Sequence, residues 1–182
     1  MFYLIISMIS LFISLKIAER ENYDASIGLL NLFILYTGLS FYGNIFSIPF
    51  LTFMVISFSF MNVIIDIKYL ELANGVTALS LLPFVINLAL SKDIKILIVT
   101  LFIFLFYALW GITKDGVGFG DVKISWILGV LSGSPIFYIL ILPLIVFSIY
   151  SLINKYFVKD KSKRRCFFPC MYLSILILLP LY

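Results

Sequence analysis

The hydrophobic residues of this chain fall into long continuous runs, which short polar or glycine-rich segments separate. A helix that crosses a bilayer takes roughly 17–25 mostly apolar residues, and most of the runs have about this length. Because the runs are continuous rather than alternating, they favour helices over the strands of a membrane β-barrel. The pattern predicts eight helices, at about 2–18, 27–43, 45–66, 76–91, 95–112, 122–134, 136–154 and 166–182.

The segment 122–134 is the shortest of these predicted helices. Its glycines and serines, among them Gly129 and Gly133, suit close packing against other helices better than exposure to lipid. Pro135 separates it from the next helix, because proline favours a turn or a break.

The composition agrees with a membrane protein. Hydrophobic residues make up 63% of the 182 residues and charged residues 12%, whereas soluble domains average about 25% charged residues. We therefore predict an all-α fold, a polytopic membrane helical bundle of about eight transmembrane helices. We expect one integral membrane domain over 1–182, with two N-terminal helices in 1–44 and a six-helix core in 45–182.

The lysines and arginines predict the orientation of this bundle. The loops near 16–26, 67–75, 113–121 and 155–165 fall on one side, and only Lys92 and Lys95 fall on the other. The first side carries Lys16, Arg20, Lys68, Lys114, Lys123, Lys155, Lys159, Lys161, Lys163, Arg164 and Arg165. Since positive loops face the cytoplasm, both termini are expected outside, in a multi-pass protein of the cytoplasmic membrane. The basic residues behind the net charge of +4 thus indicate the orientation in the membrane, and we expect no nucleic-acid partner.

The chain contains no histidine, which excludes Ser-His-Asp and Cys-His catalysis and the HExxH zinc proteases. Cys166 and Cys170 stand four residues apart in "CFFPC", and two thiols alone do not make a metal site. We expect no metal ion and no cofactor.

Two of the nine acidic residues stand out by position. Asp66 ends a long apolar run, Asp121 follows "GVGFG", and each has a lysine two residues later, Lys68 and Lys123. The other seven lie in polar segments, where solvated charges are expected: Glu19, Glu21, Asp24, Glu71, Asp93, Asp115 and Asp160. The predicted topology places Asp66 and Asp121 at the cytoplasmic ends of two helices. Ionisable residues at membrane depth are costly, which makes both aspartates candidates for a functional site.

A pair of carboxyl groups can hydrolyse a peptide bond without histidine, metal or a covalent nucleophile. Two facing carboxyls share a proton, so that one acts as general base toward water and the other polarises the carbonyl. Gly118 and Gly120 have no Cβ, which permits unusual backbone dihedrals and a close approach of a neighbouring chain. We expect them to open a non-helical pocket before a helix that begins near residue 122.

Three segments of the sequence resemble those of the type IV prepilin peptidase family, a family of intramembrane aspartyl proteases. "GFGD" fits the GxGD signature, and "GVGFGDVKISWILGVLSG" is similar to the stretch around it. "IIDIKYLELANGVT" resembles the family's first catalytic segment, in which an aspartate ends a helix and a proline-asparagine pair precedes the next helix. "CFFPCMYLSI" resembles the family's closing helix.

The resemblance implies specific roles for residues of this chain. Asp66 and Asp121 would be the catalytic pair, and Gly118 and Gly120 would shape the second segment. Lys68, Lys123 and Glu71 would be accessory residues, with Glu71 attracting a basic leader. The implied reaction, at the cytoplasmic membrane face, cuts a type IV prepilin or pseudopilin precursor between its leader and the hydrophobic helix that follows.

The chain differs from the family pattern at two places. Ala73 stands where the proline is usual. The connection "KIAERENYDAS" at 16–26 is short, whereas many bacterial members carry there a cytoplasmic domain with paired CxxC motifs and also N-methylate the new amino terminus. Methyltransferase activity is therefore not carried over to this chain.

Other functions fit parts of the pattern. A proton- or cation-coupled transporter also uses intramembrane acids, but it predicts carboxylates near mid-membrane. A non-catalytic component of pilus or secretion assembly would keep the fold without cleavage. A peptidase for flagellin-like precursors is an enzyme of the same kind with another substrate.

Overall fold

A computed structural model describes residues 2–23, 29–114, 118–158 and 166–181 of the chain. Within these ranges the chain forms eight α-helices and no strand, which confirms the all-α prediction. The helices are α1 (Phe2–Arg20), α2 (Leu29–Ile45), α3 (Phe50–Tyr69), α4 (Asn74–Ser91), α5 (Ile94–Lys114), α6 (Phe119–Ile124), α7 (Ile136–Ile153) and α8 (Phe168–Leu178).

Five apolar helical segments are long enough to cross a membrane: Phe2–Arg20, Phe50–Tyr69, Asn74–Ser91, Ile94–Ile112 and Ile136–Tyr156. The other three α-helices, α2, α6 and α8, have 17, 6 and 11 residues. The predicted orientation, with both termini outside, stays a prediction. Five basic residues used to predict it lie outside the described residues, namely Lys159, Lys161, Lys163, Arg164 and Arg165. The predicted solvated charges Asp24, Asp115 and Asp160 also lie outside them.

The chain divides into two compact units, Met1–Lys92 and Asp93–Tyr182, and each is described by itself. In the first unit α3 is the central helix, because 72% of its apolar window is buried, against 33% for α1 and 28% for α4. Its inner face packs against residues of the neighbouring helices in one apolar cluster. The buried members of this cluster are Leu11, Ala18, Leu32, Tyr36, Met61, Ile64, Ile65, Ala73 and Val76.

One helix predicted in the second unit is wrong. Instead of an α-helix over 122–134, the chain forms the short α6 and then a 3-10 helix, Ser125–Leu131. The Val122 carbonyl accepts two hydrogen bonds from Ser125, three residues further on. One comes from the backbone N–H, and the other comes from the hydroxyl at 2.8 Å. A bond to the third residue is that of a 3-10 helix, so the winding tightens at this point.

The predicted break before 136–154 is confirmed. Pro135 precedes the first turn of α7, and that helix begins at Ile136. A proline fits there because the first N–H groups of a helix have no partner within the helix.

Candidate active site

Asp66 lies in the last turn of α3, where the sequence analysis expected the helix to end. The helix continues for three more residues to Tyr69, so Asp66 is inside it. Only 5% of the Asp66 surface is exposed, which places an ionisable carboxyl group in the interior of the first unit. Leu70 ends the helix in a left-handed conformation, with a φ of 56°, and its N–H donates a 2.9 Å hydrogen bond to the Asp66 carbonyl.

A ring of buried hydrogen bonds joins α3 to the start of α4, one turn before Asp66. The N–H of Ala73 donates to Asn62 Oδ1 at 3.1 Å, and Asn62 Nδ2 donates to Thr77 Oγ1 at 3.0 Å. The Thr77 hydroxyl closes the ring by donating to the Ala73 carbonyl at 2.8 Å. Asn62 and Ala73 are fully buried and Thr77 is 6% exposed, so every polar atom of the ring that we name has a partner away from solvent.

Sequence reasoning missed Asn62 and Thr77. The signal that could have found Asn62 is a carboxamide inside the apolar run, four residues before Asp66. Residues four apart share one face of a helix, so Asn62 and Asp66 were predictable as neighbours along α3.

A second contact joins the start of α4 to Glu21, the residue that follows α1. Glu21 Oε1 accepts a 2.7 Å hydrogen bond from the N–H of Gly75. A carboxylate at this place satisfies a free N–H of the helix terminus and interacts favourably with the helix dipole. Glu21, predicted as an ordinary solvated charge, therefore has a structural contact.

The accessory candidates of the first unit lie at the same end of α3. Glu71 is exposed, and its Oε2 accepts a 3.1 Å hydrogen bond from the Tyr23 hydroxyl. Partial burial and this hydrogen bond raise the pKa of Tyr23 above its ordinary value of 10.0. Lys68 is exposed, with Nζ 5.3 Å from the centroid of the Tyr69 ring.

Asp121 lies in the first turn of α6, in the second unit. Gly118 precedes the helix, and its carbonyl accepts the N–H of Val122 at 3.2 Å. Asp121 and Gly120 are half-buried, and Lys123 is exposed. The expected non-helical stretch up to residue 122 is wrong, because the helix already begins at Phe119 and contains Gly120 and Asp121.

Gly118 leaves space for a neighbouring side chain rather than adopting an unusual conformation. Its φ of −67° and ψ of 151° are open to any residue, so the expected unusual dihedrals are wrong at this position. A Cβ at Gly118 would stand 3.2 Å from Asp121 Oδ2. The Asp121 carboxylate thus lies against the face of Gly118 that a side chain would occupy.

Tyr107 of α5 is a further polar group near this carboxylate that sequence reasoning missed. It is fully buried, and its hydroxyl donates a long hydrogen bond of 3.4 Å to the Leu140 carbonyl in α7. Asp121 is close enough to act electrostatically on this hydroxyl. The Tyr107 ring also packs on Phe167, with 5.8 Å between the centroids, so "CFFPC" meets α5 within the second unit.

The structure assigns the candidate residues to two groups. Asp66, Lys68 and Glu71 belong to the first unit, and Gly118, Gly120, Asp121 and Lys123 belong to the second. Among the described residues, no group of three or more His, Cys, Asp or Glu side chains could hold a metal ion.

Comparison with known proteins identifies one family. A model described as the type IV leader peptidase family matches residues 53–153, more than half of the chain. The matched region contains both candidate aspartates and the whole "GFGD" segment. Neither a search of the curated proteins nor one of the solved structures finds a match.

Proposed function

Because the chain belongs to the type IV leader peptidase family, we propose that it is an intramembrane aspartyl endopeptidase that removes the basic leader from type IV prepilin-like precursors. The observation that carries this proposal is the family match over 53–153, since it includes the segments around both Asp66 and Asp121. The membrane part of the proposal rests on the five apolar helical segments long enough to cross a bilayer.

Asp66 and Asp121 form the catalytic pair in this proposal. The ionised carboxylate takes a proton from a water molecule as its oxygen attacks the scissile carbonyl carbon, and the protonated carboxyl donates to the carbonyl oxygen. The tetrahedral intermediate then loses the amine, which leaves with the proton held by the first carboxyl, while a hydroxyl of the intermediate returns its proton to the second carboxylate as the product carboxyl group forms. The reaction consumes one water molecule and needs neither a covalent intermediate nor a cofactor.

The surroundings of the two carboxyls support this role. Asp66 is almost fully buried at the end of the most buried span, although ionisable groups in such places are costly. Asp121 lies against a glycine that leaves room for its carboxylate. Lys68 and Lys123 are accessory groups in the proposal. Both side chains are exposed, and each lysine stands two residues after its aspartate.

The proposed substrate is a pilin or pseudopilin precursor with a short basic leader before a hydrophobic helix. The hydrophobic helix lies in the bilayer, and the leader reaches the cytoplasmic face, where we propose that cleavage occurs. Glu71 is exposed five residues after Asp66, and its negative charge attracts a basic leader. The enzyme works in the cytoplasmic membrane with the lipid bilayer and the precursor as its partners.

A cleavage assay in membranes tests the proposal. The chain is expressed with a tagged pilin-like precursor from the same genome, and the intact mass of the precursor is measured. We expect loss of the leader with the wild type and with Asp93→Asn, and no loss with Asp66→Asn or Asp121→Asn. An added ~14 Da, one methylene, would reveal methylation as well.

The same assay separates the alternatives. A transporter or a non-catalytic assembly component of the same fold predicts that every candidate precursor stays intact with well-folded wild type. Cleavage that persists in both Asp→Asn variants would show a protease of another mechanism.

A further inference from the structure

We propose that Asn62 is a positioning residue that holds the turn between α3 and α4 against Asp66. The proposal rests on the function proposed for Asp66, and it adds a residue to that site which touches neither substrate nor the reacting atoms. It comes from the contacts of the turn, residues 70–73, which directly follows the last residue of α3.

Both ends of this turn are fixed on α3, one turn of helix apart. At its start, the Leu70 N–H is bonded to the Asp66 carbonyl at 2.9 Å. At its end, the Ala73 N–H is bonded to Asn62 Oδ1 at 3.1 Å. The turn can therefore move away from Asp66 only if one of these two hydrogen bonds breaks.

The Asn62 side chain is suited to this task because both ends of its amide are used. The oxygen holds Ala73, and the nitrogen holds the Thr77 hydroxyl at 3.0 Å in the first turn of α4. Ala73 precedes α4 and provides no side-chain cap of its own. Asn62 thus accepts, from α3, the N–H of the residue that precedes α4, while Glu21 accepts the N–H of Gly75 that a Ser, Thr, Asp or Asn at the N-cap would normally bind.

The burial of the ring makes the loss of Asn62 consequential. Asn62 and Ala73 are fully buried, so the Ala73 N–H has no access to water when its acceptor is removed. A buried donor without a partner favours any rearrangement that brings it to solvent. We expect that rearrangement to lift residues 70–73, whose first N–H is bonded to the Asp66 carbonyl, and so to shift the last turn of α3 with its carboxyl group.

Kinetics of precursor cleavage test the proposal with matched variants. Asn62→Leu removes both hydrogen bonds of the amide, and Thr77→Val removes one of them at constant shape. We expect kcat per folded enzyme to fall roughly 10–100-fold for Asn62→Leu with KM little changed, because small displacements of catalytic groups have effects of this size. The double variant should be no slower than Asn62→Leu alone, since both changes break the same ring.

Ser80→Ala is the control. Ser80 is also fully buried in α4, and its hydroxyl donates a 2.9 Å bond to the Thr77 carbonyl within the same helix. Ser80→Ala therefore removes one buried hydrogen bond but none of the hydrogen bonds of the ring. We expect it to lower the thermal midpoint while kcat stays at the wild-type value.

A second measurement follows the geometry without any cleavage. Asp66→Cys places a thiol at a position where the aspartate is 5% exposed. The rate at which a maleimide labels this thiol is measured after subtracting the background labelling of the buried Cys166 and Cys170. Adding Asn62→Leu should raise the labelling rate at least several-fold, whereas adding Ser80→Ala should not.

The outcomes separate this proposal from the proposed function. Unchanged labelling together with an unchanged kcat in folded Asn62→Leu would overturn the positioning role. Faster labelling of Asp66→Cys/Asn62→Leu, together with a wild-type chain that cleaves no precursor, would support the role of Asn62 in the turn and refute the peptidase. If Asn62→Leu does not fold, Thr77→Val decides by the same two measurements.

Discussion

The N–H of Ala73 donates a 3.1 Å hydrogen bond to Oδ1 of the fully buried Asn62. A proline, which the family resemblance leads us to expect at this position, has no N–H to donate. The Ala73 φ of −68° is close to that of a proline, so the dihedral angle alone would accept the ring. The chain therefore replaces a rigid residue by a hydrogen bond from a neighbouring helix.

Ala73→Pro should lower the free energy of unfolding by about 1–3 kcal/mol, because it leaves the Asn62 oxygen buried without its donor. Unfolding by denaturant in mild detergent measures this change. In an Asn62→Leu background the same proline should be neutral or stabilising, since no acceptor is left unpaired. A more stable Ala73→Pro single variant would contradict the role we give to this hydrogen bond.

Gly118→Ala should slow precursor cleavage by roughly 10-fold or more, because the added Cβ displaces the Asp121 carboxylate from its place 3.2 Å away. Folding should change little, since alanine costs only about 1 kcal/mol or less before a helix. Gly133→Ala is the matched control, because a Cβ there meets nothing within 4 Å. Equal rates for the two variants would show that the Gly118 surface has no part in placing the carboxylate.

Gly75→Ala should destabilise the protein although it lies in a helix, where alanine is normally better by about 1 kcal/mol. The added Cβ would stand 2.5 Å from Ile17 Cγ2 and 3.0 Å from Glu21 Oε1, so these side chains have to shift, and the Glu21 bond to the Gly75 N–H is strained. Gly38→Ala in α2 meets nothing within 4 Å and should stabilise by about 0.4–1 kcal/mol. Thermal unfolding of the two variants checks the prediction, and a higher midpoint for Gly75→Ala would oppose it.

The raised pKa of Tyr23 predicts that the stability of the protein depends on pH. Its pKa is raised in the folded state, above 10.0, by partial burial and by the hydrogen bond to Glu71. Above pH 10 the unfolded chain therefore loses the phenolic proton first, and the stabilisation is lost as pH rises to the folded pKa. The difference in thermal midpoint between wild type and Tyr23→Phe should be constant below pH 9 and should shrink above pH 10. A difference in thermal midpoint that grows above pH 10 would contradict the raised pKa of Tyr23.

The sequence predicted the helices well because each long apolar run must satisfy its backbone hydrogen bonds internally in lipid. It predicted their ends less well. Asp66 marks the end of an apolar run, but backbone hydrogen bonds continue to Tyr69, since they do not depend on apolar side chains. At Asp121 the error has the opposite direction, because Gly118 already precedes a helix that begins three residues earlier than expected.

The candidate site was predictable only in part. The aspartates and the glycines were found because charge and missing side chains are visible against an apolar background. Asn62 was overlooked because a neutral amide carries no charge that marks it, although it stands four residues before Asp66. Its importance depends on Ala73, which precedes the next helix, and on Thr77 within that helix. The pairing of backbone and side-chain atoms cannot be deduced from composition or periodicity.

Cross-linking of Asp66→Cys/Asp121→Cys tests the central claim most directly, in membranes and in a chain with Cys166→Ser and Cys170→Ser. The proposed dyad predicts that a short bifunctional thiosulfonate joins the two thiols within one chain, as detected by intact mass. Asp66→Cys/Asp93→Cys is the control and should give no such product, because the predicted topology puts Asp93 on the opposite membrane side. If the thiols at 66 and 121 each react singly but are never joined within one chain, the shared aspartyl site does not exist.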